Sequence, residues 1–110
     1  MIPALTAAQQ DELEIVCRRY GVIQLEVFGS ATRAGFDENR SDIDLIVRFR
    51  NEQAKGLFDR YWGLAEELGR IFGRPIELLT ERMIRNPYFH AAVDAERQTL
   101  YAGEPEEAIR

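Results

Sequence analysis

Val22-Ile23-Gln24-Leu25-Glu26-Val27-Phe28-Gly29-Ser30 is followed, after eleven intervening residues, by Asp42-Ile43-Asp44-Leu45-Ile46-Val47-Arg48-Phe49. The first run, Val22 to Phe28, alternates at period two and is rich in β-formers, which predicts a strand closed by Gly29-Ser30. The second predicts another strand, from Asp42 to Phe49. Successive strand side chains point to opposite faces, so Ile43, Leu45, Val47 and Phe49 share one face. Asp42, Asp44, Ile46 and Arg48 share the other. Between the strands, Ala31 to Ala34 has room for a short helix, and Gly35 to Ser41 is polar and turn-like.

Outward from this centre the chain reads as alternating elements. Upstream, Thr6 and Gln9 have the spacing of a capping box, and Leu13, Val16, Cys17 and Tyr20 form one helical stripe that Gly21 ends. Downstream, Leu57, Tyr61, Leu64, Leu68 and Phe72 mark a long amphipathic helix, with Phe58, Trp62 and Ala65 widening its stripe. Gly73-Arg74-Pro75 stops it, and Ile76-Glu77-Leu78-Leu79 predicts a third, short strand. Asn86-Pro87 reads as N-cap and first position of a last helix through about Gln98. The expected fold is α+β (mixed α/β), a three-stranded mixed sheet covered by helices.

Size and composition narrow the function. The 110 residues, spanned as one domain over 1–110, carry 14 Lys plus Arg against 19 Asp plus Glu, a net charge of −5. That acidity disfavours direct nucleic-acid binding, which needs a basic surface to displace counterions. One cysteine excludes an internal disulfide framework, and no run approaches the ~20 apolar residues of a membrane span. A soluble, cytoplasmic protein is expected.

Three polar features sit at strand ends. Gly29-Ser30 lets a ligand approach the backbone and offers N–H groups to a phosphate. Asp42 and Asp44, two apart on one strand face, present adjacent carboxylates of the hard-oxygen type that Mg²⁺ takes. Glu77 adds a third if its strand neighbours the second. Carboxylates bridging two Mg²⁺ clamp the attacking and leaving oxygens of a phosphoryl or nucleotidyl transfer. Each piece alone is a common chance match; the joint pattern is much more specific. The other singular residues have plain readings. His90, without a second ligand, is a packing or surface residue; Cys17 is a small buried hydrophobe; Tyr61 and Trp62 fit the apolar helix face. Arg33 and Arg40 flank the proposed phosphate site, and a guanidinium suits a triphosphate. Arg85-Asn86-Pro87-Tyr88 is accounted for as a helix start.

Val27-Phe28-Gly29-Ser30-Ala31-Thr32-Arg33 with Arg40-Ser41-Asp42-Ile43-Asp44-Leu45-Ile46-Val47 resembles the signature of the DNA-polymerase-β-type nucleotidyltransferases. Within them the chain is similar to the minimal nucleotidyltransferases, antitoxin partners of HEPN-domain ribonuclease toxins. Gly73 to Leu79 and Arg85 to Tyr88 also look like segments of that group. The resemblance implies a polymerase-β-type fold, phosphate binding at Gly29 and Ser30, and two Mg²⁺ at Asp42, Asp44 and Glu77. The third position is more often Asp in the family. It further implies ATP as substrate and AMP transfer to a tyrosine of a HEPN toxin in a hetero-oligomeric complex. Two alternatives remain at this level: modification of a small molecule, and an antitoxin that only masks the toxin by binding.

Overall fold

The computed structural model describes residues 5–29, 42–53 and 55–103. Ser30, Arg33, Arg40, the short helix at Ala31 to Ala34 and the turn from Gly35 to Ser41 therefore lie outside the described residues. The elements run α1 (Ala7–Arg19), β1 (Val22–Phe28), β2 (Ile43–Phe49), α2 (Leu57–Phe72) and β3 (Ile76–Thr80). A 3₁₀ turn (Glu81–Met83), α3 (Pro87–Glu96) and β4 (Gln98–Ala102) complete the order.

Local chemistry accounts for the helix ends. The Thr6 hydroxyl accepts from the Gln9 N–H at 3.1 Å, and the Gln9 side chain accepts from the Thr6 N–H at 2.9 Å. The same Gln9 amide donates to the Ile71 carbonyl at 2.9 Å, which ties the start of α1 to the end of α2. Asn86 caps α3, accepting from Tyr88 and Phe89 N–H groups, with Pro87 at the first helical position. Each cap satisfies donors that a helix start leaves unpaired.

The sheet has the order β3-β2-β1-β4. β1 is antiparallel to both β2 and β4, while β2 and β3, joined through α2, are parallel. The expected α+β architecture is present, with one correction: the sheet has four strands, not three. The last helix stops at Glu96, and Arg97 turns extended (φ −66°, ψ 136°) to feed β4. Leu100 continues the helical spacing of Phe89 and Val93, so periodicity alone carries the helix too far; pairing with β1 decides the matter.

Each face of the sheet carries a core. On one, Leu25, Val27, Ile43, Leu45, Val47 and Leu78 pack against Leu13, Val16 and Cys17 of α1 and Leu64, Leu68 and Ile71 of α2. On the other, Phe28 and Ile46 meet Ile84 and Val93. Burial first and the Glu14 carboxylate second push the Cys17 thiol up to about 12, in keeping with a small buried hydrophobe. Phe58 and Trp62 do not widen the buried stripe of α2. They are exposed and pack edge to face with one another, because Leu64, Leu68 and Ile71 occupy the sheet-facing side.

Candidate active site

The strand register builds the site. β1 and β2 pair Phe28 with Asp44, and β2 and β3 pair Asp44 with Glu77. Cross-strand partners project to the same side of a sheet, so Phe28, Asp44 and Glu77 form one row across three strands. Ile43 and Leu45 are fully buried on the opposite face, which locks β2 in register: a one-residue slip would expose both. The core thus aims Asp44 away from itself. Asp44 is half-buried, whereas Asp42 and Glu77 are exposed.

Gly29 follows Phe28 with φ +74°, a left-handed conformation that glycine adopts at little cost. A Cβ there would lie 2.4 Å from Oδ2 of Asp44. The space that a side chain at position 29 would fill belongs to the Asp44 carboxylate. The turn and the acid are therefore one unit, although fourteen residues lie between them in the sequence.

The three carboxylates do not form a closed triad. Among the described residues no three His, Cys, Asp or Glu side chains gather closely enough to hold a metal ion. Asp42 precedes Ile43, the first residue of the β2 ladder, so no strand partner orients it. Glu77 lies on an edge strand. What the register does bring together is Asp44 and Glu77. Their donor chemistry, adjacent carboxylates beside a glycine turn, fits a hard divalent cation.

Neighbouring groups hold this edge in place. The Tyr61 hydroxyl on α2 donates to the Leu78 carbonyl of β3. Burial first and the Glu77 carboxylate second hold its phenol above the usual tyrosine range. His90 hydrogen-bonds Asp94 through Nδ1 at 2.9 Å and is a helix-surface residue, as expected. Arg85 donates to the Arg82 carbonyl. Two features beside the site are not apparent in the sequence. One is the ring of Phe28 next to Asp44. The other is Arg97, whose guanidinium grips Glu26 of β1 at 3.0 and 2.6 Å and also pairs with Glu81 and with Asp94. Their only signal is alternation along β1, which puts Glu26 and Phe28 on the face of Asp44.

A model of the nucleotidyltransferase domain matches residues 12–100. The chain belongs to that family. This nucleotidyltransferase is 35% identical over 81 residues to a Methanocaldococcus jannaschii protein named "putative protein adenylyltransferase"; the match covers 74% of the chain and 79% of that relative. Among solved structures it is similar to a minimal nucleotidyltransferase, with a TM-score of 0.63 and 26% identity, covering 83% of this chain and 88% of that one. It also shares its fold with a complex of a tri-AMPylated Shewanella oneidensis HEPN toxin and an MNT antitoxin. That likeness has a TM-score of 0.56 at 16% identity and covers 87% of this chain and 71% of the other. No helix among the described residues is long and apolar enough to cross a membrane.

Proposed function

We propose that this nucleotidyltransferase transfers AMP from ATP to a tyrosine hydroxyl of a HEPN-domain partner, and so acts as its antitoxin in the cytoplasm. The observation that carries the reading is the juxtaposition of Gly29, Asp44 and Glu77 at one end of the sheet. Support for the acceptor comes from the relative named for protein adenylylation and the fold neighbour in complex with an AMP-bearing toxin.

In this reading the backbone at Gly29, with Ser30, takes the phosphates of ATP, and the Arg33 guanidinium adds a counter-charge to them. Asp42, Asp44 and Glu77 would hold Mg²⁺, two ions in all. When bound, Mg²⁺ neutralises phosphate charge and makes an acceptor hydroxyl more acidic. Asp44 is the residue the fold fixes best, so it would be the ligand that decides where the cation sits at this edge. Glu77, exposed on the edge strand, lies where an acceptor from a second protein can reach. The attacking oxygen gives up its proton to solvent and bonds to the α-phosphorus as the bond to the bridging oxygen breaks, and pyrophosphate leaves.

Intact-mass spectrometry of a HEPN protein co-encoded with this chain, incubated with the chain, ATP and Mg²⁺, tests the reading. The expected result is mass increments of one AMP each, carried on tyrosine. A toxin neutralised with no change in mass would favour masking by binding instead, and AMP found only on a small molecule would move the acceptor.

A further inference from the structure

The candidate site has two unlike flanks. On the β3 side of Asp44 stands another carboxylate, Glu77. On the β1 side stands the Phe28 ring, 6% exposed. Against Phe28 lies the ring of Phe89 from α3, edge to face, with centroids 6.1 Å apart and planes at 75°. Phe89 is 44% exposed. An edge contact to a nearly buried neighbour leaves much of its surface open to solvent, one ring beyond the cross-strand partner of Asp44.

The helix that carries Phe89 is fixed at both ends. Its N–H donates to the Asn86 cap at 3.2 Å, fixing the start of α3. At the other end of the helix, Arg97 joins α3 through Asp94 to Glu26 on β1, the strand that carries Phe28. The helix is thus in place before any ligand arrives, and the edge contact with Phe28 orients the ring it carries, which lowers the ordering cost of binding.

We infer that the Phe89 ring, held against Phe28 beside Asp44, is the platform on which the base of the bound nucleoside triphosphate stacks. The inference rests on the reading of the Gly29–Asp44 edge as the phosphate site. With the phosphates there, and the Glu77 side reserved for the cation that would balance them, the Phe28 side is the one left to receive the base. Nucleobases stack on aromatic faces whatever their hydrogen-bonding edge. Phe89 offers no donor or acceptor, so it reads ring area: purines are held better than pyrimidines, and adenine is not told from guanine by this contact.

Calorimetry on the full chain with Mg²⁺ tests the platform, using ATP, CTP and inorganic tripolyphosphate as probes. Phe89→Ala should weaken ATP by about tenfold or more, the weight of one base–aromatic stack, and narrow the gap between ATP and CTP. Tripolyphosphate, which has no base, should bind the variant as it binds the wild type. Phe89→Leu keeps apolar packing on Phe28 but lacks a flat face, so it should also lose ATP affinity selectively; Phe89→Trp should restore it. ATP bound equally by wild type, Phe89→Ala and Phe89→Leu overturns the platform alone. Parallel loss of ATP and tripolyphosphate in all variants overturns it too, by showing a structural role. Wild-type protein that binds neither probe overturns the phosphate site and the platform together.

Discussion

Gly29 is the residue on which the account turns, because it reads differently in sequence and in structure. In the sequence it marks a close approach of some ligand to the backbone. In the structure the close approach is made by the chain's own Asp44, at 2.4 Å from where a Cβ would stand. Gly29→Ala must therefore displace either the turn or the carboxylate, and it also carries a left-handed φ that alanine adopts reluctantly. The expected cost in stability is about 1 kcal/mol, read by thermal denaturation. Nucleotidyl transfer should fall much further, on the order of 10²-fold, since a shift of about 1 Å in a reacting group costs that much. Transfer that follows only the loss of folded protein would contradict the coupling. The type of each site residue was legible from spacing, because period-two alternation assigns Asp44 to a face without coordinates. That Asp44 would fill the glycine's space was not legible, since it depends on where one strand ends beside another.

At the scale of elements, α1, β1, α2 and the α3 cap were readable because their signals are local: a capping box, an alternating run, a stripe ending at Gly73 and an Asn-Pro start. β4 was not, since its pairing with β1 is nonlocal and no Gly or Pro separates it from α3. Arg97 is the hinge of that missed transition. Its side chain is 19% exposed and faces Glu26, which is 13% exposed. Arg97→Met keeps length but leaves the Glu26 carboxylate without its partner. The expected loss is about 2 kcal/mol by urea denaturation, below that of a dry buried pair because some solvent reaches this one. The pH dependence has a definite sign. Hydrogen bonding to Arg97 is the main cause holding the Asp94 carboxyl below its ordinary value of 3.8. Stability from that contact is complete above 3.8 and is lost as the pH falls through the lower folded value. The gap between wild type and Arg97→Met should accordingly shrink as the pH is taken below about 3.8. A gap that stayed constant or widened on acidification would show that Asp94 draws no stability from Arg97.

For the molecule as a whole, the strand order places the chemistry. β1 and β2 are the two central strands, buried on the α1/α2 face, and they deliver Gly29 and Asp44 together at one sheet end. β3, parallel to β2 because α2 carries the chain back, adds Glu77 beside them. A net charge of −5 over 110 residues disfavours a nucleic-acid acceptor and suits one brought by a protein partner. The most direct measurement is transfer of α-labelled AMP from ATP to a HEPN partner, in the presence of Mg²⁺, by wild type and by Asp44→Asn. Asp44 is half-buried and points away from the α1/α2 core, and Asn keeps its size, so the variant should keep the wild-type circular-dichroism melt. Labelling should fall by at least about three orders of magnitude, because in the proposed reading the lost charge is one that holds the metal stabilising both the attacking and the leaving oxygens. An Asp44→Asn protein that folds normally and labels its partner at the wild-type rate would contradict it.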